Sequence, residues 1–190
     1  MKEGEVHTII AEVISGNTHE FARLVDEYKQ MVYSLCMKMA QNSEDAEEIA
    51  QDSFVKAFKG LHKFEKKSKF STWLYQITYF TAVNHLRKRK PEIDDQYLKI
   101  EQFEDTSLPD ELSKSDQKKL ISEALQHLKP KERAVINLFY LEELEIKEVS
   151  QITKLSESNV KVSLLRARKK LYGIIQIILK NELNSILYES

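Results

Sequence analysis

Apolar residues in this chain recur at intervals of three and four, the spacing of helices that turn one face to a core. Residues 7–14 give a short first segment that stops at Ser15-Gly16-Asn17. Phe21, Leu24, Val25, Tyr28, Val32, Leu35, Cys36 and Met39 then predict a long amphipathic helix. Cys36 sits on that stripe, which assigns it to packing. Gln41-Asn42-Ser43 makes a turn, and Ser43 is the expected cap of a helix over 44–58. Acidic residues at 44–48 suit the positive end of that helix, and Ala46, Ile49, Ala50, Phe54 and Ala57 form its inward face. Asp45, Glu48 and Asp52 line a different face. Such a stripe is either a solvated surface or a dock for a basic partner, and periodicity does not choose between them.

After Leu61 comes a basic loop, HKFEKKSK, with aromatics at its edges. Ser71 is the expected cap of the next helix, 72–90, with Phe70 and Tyr75 spaced as a hydrophobic staple. That helix is rich in rings and ends in Arg87-Lys88-Arg89-Lys90, where Pro91 stops it. Cations interleaved with aromatics suit single-stranded nucleic acid, because cations follow phosphates while rings stack on bases. Trp73, Leu74 and Ile77 are assigned to the core.

Residues 91–117 break the pattern. Acidic side chains dominate, periodicity fades, and a flexible acidic linker with a short helix near 96–103 is expected. A second unit over 118–172 follows. Leu120, Ile121, Ala124 and Leu128 form one stripe, and after Pro130 a helix over 131–141 buries Val135, Ile136, Leu138 and Phe139. Leu144, Val149 and Ile152 share one side of a short helix that Lys154-Leu155-Ser156 interrupts. Ser156 caps a second helix whose Val160, Leu164, Ala167 and Leu171 face inward. Its other face carries Ser158, Asn159, Lys161, Arg166, Arg168, Lys169 and Lys170. Two short helices about a tight turn, the second basic outside, read as a helix-turn-helix. Residues 173–190 form an apolar tail, too short and interrupted to span a membrane.

Composition narrows the class. The 190 residues include 4 Gly and 3 Pro with 31% charged side chains, which suits an all-α chain of two small helical domains, 1–90 and 118–172. One cysteine excludes an intrachain disulfide, and no signal peptide is evident, so a cytoplasmic site is expected. The five histidines show no close metal-ligand pairing, and neither a nucleophile motif nor a phosphate loop is present. No catalytic residue, metal, cofactor or small-molecule substrate is expected. The net charge of -1 conceals charges sorted into blocks.

Three segments in order, DAEEIAQDSFVKAF (Asp45–Phe58), KFSTWLYQI (Lys69–Ile77) and NVKVSLLRARKKL (Asn159–Leu171), closely resemble the extracytoplasmic-function (ECF) sigma factors of bacterial RNA polymerase. The resemblance implies that residues 1–90 form a region 2 domain and residues 118–172 a region 4 domain. It implies docking on the polymerase core, through the β′ clamp helices and β, by Asp45, Glu48, Gln51 and Asp52. The loop 62–70 and the helix after it would serve the minus-10 element, where a flipped base costs a few kcal/mol that a pocket must offset. Lys63, Lys66, Lys67 and Lys69 would hold phosphates there, with Asn84, Arg87 and Lys88 nearer the bases.

At the minus-35 element, Glu157, Ser158, Asn159, Lys161, Val162 and Ser163 would reach base edges, while Arg166, Arg168 and Lys169 bind phosphates. A salt bridge to the preceding helix is the competing role for Arg168. Two positions depart from the resemblance: Phe80 stands where Asn is frequent, and Ser163 where Arg is common. The function implied is that of an alternative sigma factor, nucleoid-associated when active and restrained by an anti-sigma factor, often membrane-bound. The competing reading is a stand-alone helix-turn-helix regulator, which predicts a stable dimer on a palindromic operator.

Overall fold

The computed structural model describes residues 1–88 and 113–188, with side chains up to residue 181. Residues 91–112 of the expected linker with its short helix at 96–103, the basic pair Arg89-Lys90 and the last two residues lie outside the described residues. Eight α-helices and no strand occur among the described residues, in two units. The first unit holds α1 (Glu3–Ile14), α2 (Phe21–Ala40), α3 (Ser43–Gly60) and α4 (Phe70–Lys88). The second holds α5 (Lys114–Gln126), α6 (Pro130–Ile136), α7 (Ile146–Thr153) and α8 (Glu157–Tyr188).

Val32, Leu35, Cys36 and Met39 of α2, Ile49 of α3 and Leu74 of α4 are fully buried in the first unit. Each large apolar side chain so placed contributes about 1.5–3 kcal/mol. Local chemistry sets the ends of these helices. Gln41 closes α2 in the left-handed region at φ 66°. Asn42, not Ser43, caps α3: its side-chain oxygen accepts from the Asp45 amide at 2.8 Å. The helix α4 starts earlier than the Ser71 cap implied, because the Phe70 amide donates to the Glu3 carboxylate of α1 at 3.3 Å. A tertiary partner thus satisfies a donor that a cap would otherwise serve.

In the second unit, Leu120, Leu128, Leu138, Val149, Ile152 and Val160 line the core. The helix α5 begins at Lys114, inside the stretch expected to be linker, where Ser113 accepts from the Asp116 amide at 3.2 Å. Pro130 opens α6, and the Lys129 amide donates to Glu132 at 3.0 Å. Beyond Ile136 the turn widens to i→i+5 bonding over Asn137–Leu141, where the Glu142 amide donates to the Asn137 carbonyl at 2.9 Å. The tail is no separate segment. Ile174, Ile175 and Ile178 extend the apolar stripe of α8, which packs along α5 and α6 without a break.

The units also touch each other. The helix α7 lies along α4, and α6 meets both α2 and α4. Among the described residues, no helix is long and apolar enough to cross a membrane.

Candidate nucleic-acid interface

Three surfaces carry the residues singled out from the sequence. The first is the outer side of α3. Glu48, Gln51 and Asp52 are exposed along it, and Asp52 pairs loosely with Lys56 one turn on, at 3.7 Å. Asp45 departs from that stripe: it is 3% exposed, and its carboxylate takes Asn42 at 2.9 Å and His85 of α4 at 3.0 Å. A position at the first turn of α3 turns it inward toward α4 rather than outward with Glu48. The other ring nitrogen of His85 faces Glu48 at 3.6 Å, so the imidazole bridges α3 to α4. The donor atoms of these three residues lie within 4.8 Å of one another. Three such ligands fall one short of the four of a structural zinc site. Beside the acidic stripe, Val25, Tyr33, Ala50 and Phe54 form a shallow apolar groove of about 560 Å³.

A second surface lies between α3 and α4, where a groove of about 390 Å³ is lined by Lys56, Lys63, Trp73, Phe80 and Asn84. Trp73 and Ile77, assigned to the core from their spacing, are half-buried walls of this groove, while Leu74 is fully buried. Phe80 is exposed at the rim and meets Tyr79 edge-on at 5.0 Å. Trp73 is braced by Phe64 and Phe70, with ring centroids 5.4 and 5.5 Å away. This packing holds the basic loop against the helix. Partly exposed rings with cations alongside match the needs of an unstacked base and its phosphates.

The four loop lysines differ. Lys63 lines the groove, and Lys66 is exposed with φ 58°. Lys67 pairs with Glu65 at 2.5 Å, which holds its ammonium above the usual lysine range. Lys69 points toward Glu148 of the second unit at 4.0 Å. Lys56, which anchors on Thr81 at 3.2 Å, went unnoticed in the sequence, where it reads as one more lysine on a solvated helix. Asn84, Arg87 and Lys88 are exposed on α4.

The third surface is the start of α8. Lys154 ends α7 in the left-handed region at φ 62°, and Ser150 donates to the Leu155 carbonyl at 2.6 Å, which fixes the turn. Ser156 caps α8 as expected, accepting from the Asn159 amide at 3.2 Å. Glu157, Ser158, Asn159, Lys161 and Val162 are exposed over the first turns, and Ser163 is half-buried. Arg166 and Lys169 are exposed. Arg168 donates to the Tyr140 hydroxyl at 3.2 Å, where a salt bridge had been the competing role. Lys170 is not on the outer face: it is 8% exposed and pairs with Glu132 at 3.1 Å, since its position turns it toward α6.

Comparison with known proteins gives these surfaces their context. Residues 24–92 match Sigma-70 region 2, and residues 118–171 match Sigma-70 region 4. The class is therefore that of sigma-70-type factors, with two promoter-reading regions. The chain is 34% identical to the ECF RNA polymerase sigma factor SigW of Bacillus subtilis (strain 168), over 85% of this chain and 92% of that one. It is 28% identical to the ECF RNA polymerase sigma-E factor of Escherichia coli (strain K12), over 90% and 95% of the two chains.

Two solved structures share the fold. One is CnrH in complex with the cytosolic domain of CnrY, at TM-score 0.62 and 21% identity, covering 90% of this chain and 96% of that one. The other is the sigma factor RpoE in complex with the anti-sigma factor NepR from Bartonella quintana, at TM-score 0.60 and 20% identity, covering 83% and 98%. This chain belongs to the ECF RNA polymerase sigma factors. It is an alternative sigma factor that directs promoter-specific transcription.

Proposed function

We propose that the three surfaces divide the work of promoter recognition. Glu48, Gln51 and Asp52 contact the polymerase core, with the apolar groove beside them, and Asp45 holds α3 in register with α4 through His85. The groove between α3 and α4 takes a base of the minus-10 element: Trp73 and Phe80 supply ring faces, Asn84, Arg87 and Lys88 stand nearest the bases, and Lys63, Lys66, Lys67 and Lys69 hold phosphates. The first turns of α8, from Glu157 to Ser163, read the minus-35 element in the major groove, while Arg166, Arg168 and Lys169 fix register on phosphates. The whole mechanism is binding rather than bond chemistry, carried out in the cytoplasm at the nucleoid. Domain limits of 1–90 and 118–172 follow from this division. An anti-sigma factor that covers these surfaces is the expected regulator, by analogy with the partner named for RpoE.

The observation that carries the reading is the aromatic and basic groove of Trp73, Phe80, Lys63 and Asn84 on the unit that also exposes Glu48 and Asp52. A duplex-only regulator has no use for partly exposed rings in such a groove. The test is transcription by core RNA polymerase with and without the protein, followed by Glu48→Lys and Asp52→Lys together. Promoter-specific transcripts should require the protein and disappear with the double variant, while helical content stays unchanged. Transcripts that survive the charge reversal would remove the docking assignment, and failure to bind core polymerase would favour the stand-alone regulator.

A further inference from the structure

The amide that opens α4 belongs to Phe70, and no carbonyl of its own helix can accept from it. Glu3 of α1 does so instead, 67 positions earlier in the chain, with Oε1 3.3 Å from the Phe70 nitrogen. Its other oxygen, Oε2, stands 3.8 Å from His7 Nε2 one turn on, and the His7 ring lies 6.2 Å from that of Phe64. One carboxylate thus connects to both ends of the basic loop, Phe64 near its start and Phe70 at its close. The helix that carries it is itself held. Val6, Ile9, Ile10 and Val13 of α1 are buried, and Glu5 pairs with Arg23 of α2 at 2.9 Å. Both Glu3 and Glu5 precede residue 24, where the match to region 2 starts.

Phe70 is the hub through which this contact reaches the groove. It is 1% exposed, and its ring meets those of Tyr28 at 5.3 Å, Phe64 at 5.5 Å and Trp73 at 5.5 Å. Trp73, the single tryptophan of the chain, also rests on Phe64 at 5.4 Å and lines the groove between α3 and α4. The place of that groove ring therefore depends on Phe70, whose backbone is tied to Glu3. Charge alone gives Glu3 no favourable part in binding DNA, because a carboxylate opposes the approach of a polyanion. Placement and charge predict opposite outcomes when this side chain is removed.

We propose that Glu3 is a positioning residue for base capture: by holding the Phe70 amide it sets the Trp73 ring and the basic loop in place. The inference rests on the assignment of the groove to an unpaired minus-10 base. Its test is the affinity of the reconstituted holoenzyme for a labelled single-stranded oligonucleotide, taken from the minus-10 element of a promoter it transcribes. Glu3→Ala should weaken that affinity by about 2- to 10-fold, the worth of one net hydrogen bond. Glu3→Gln removes the charge but keeps an acceptor oxygen, and should stay within about twofold of the wild type. Glu3→Asp keeps the charge but draws the oxygen back by one methylene, so it should lose affinity as Glu3→Ala does; it keeps the test standing if Glu3→Ala loses helix. Glu5→Ala takes the same charge from the same helix without touching Phe70, and should not weaken binding. In the free protein, Trp73 emission should move to longer wavelength in Glu3→Ala and Glu3→Asp, with helical circular dichroism unchanged. Equal or tighter binding by Glu3→Ala would overturn the proposal, as would unmoved Trp73 emission. An equal loss in Glu5→Ala would also overturn it, by tracing the effect to the stability of α1. A wild-type holoenzyme that ignores the oligonucleotide would instead refute the groove assignment, and Trp73 emission would still decide whether Glu3 places the ring.

Discussion

Phe80→Ala is the substitution that most directly tests the groove. The ring is 38% exposed, stands at the rim of a groove of about 390 Å³, and meets Tyr79 edge-on at 5.0 Å. A base stacked on an aromatic side chain is worth about 1–3 kcal/mol. Loss of the ring should therefore weaken capture of the non-template strand by about 5- to 150-fold. Fold stability should fall by about 1–2 kcal/mol, short of the roughly 3–5 kcal/mol of a core Phe→Ala, because the ring sits at the rim and is 38% exposed. The assay is fluorescence anisotropy of a labelled single-stranded minus-10 oligonucleotide titrated with the reconstituted holoenzyme, alongside thermal denaturation of the free protein. Affinity within twofold of the wild type would refute the stacking role. A drop in affinity matched by a large loss of stability would refute the claim that the ring is a rim residue. Phe80→Asn should go further and change which base is preferred, because an amide brings a donor and an acceptor that a phenyl ring lacks.

His85→Leu should cost about 1.5–3 kcal/mol, since it removes a hydrogen bond to the buried Asp45 carboxylate; urea denaturation would read this, and a loss below about 0.5 kcal/mol would show that the bridge does not join α3 to α4. Ser156→Ala should cost about 0.5–2 kcal/mol through loss of the α8 cap, and Ser156→Asp should restore most of it. Burial pushes the Cys36 thiol from 9.0 up to about 12 and the Tyr28 hydroxyl from 10.0 up to about 12. The fold favours their protonated forms, so stability is whole below about pH 9 and falls as pH rises toward about 12, by up to about 4 kcal/mol for Cys36. Urea midpoints that stay flat between about pH 9 and pH 11 would contradict this.

The helices were legible because their signals are local. The stripe from Phe21 to Met39 needs only a 3.6-residue period, and the Ser156 cap needs only the three residues after it. The polar, basic face of α8 proposed here for promoter reading was legible for the same reason: its position opposite Val160, Leu164 and Ala167 is fixed by spacing along one helix. Periodicity marks an inward face, however, without saying what lies opposite. Trp73 and Ile77 share helical spacing with Leu74, yet they border a groove that Lys56 and Gly60 of α3 line from the other side. Asp45 shares the period of Glu48 and Asp52, yet the arrival of His85 from α4 buries it. Lys170 belongs by sequence to a basic run, and Glu132 across the helix pair draws it inside. Arg133 and Asn137 carried no local signal at all. Asn137 donates to the Lys38 carbonyl and Arg133 to the Met39 carbonyl, both at the end of α2 and about a hundred residues away, and a carbonyl is the same in every sequence. Sequence by itself determined the helices, the Ser156 cap and the basic faces, because these depend on neighbours along the chain. Tertiary structure alone decided which charges remain outside and how one unit closes the other's helix, because those depend on neighbours in space.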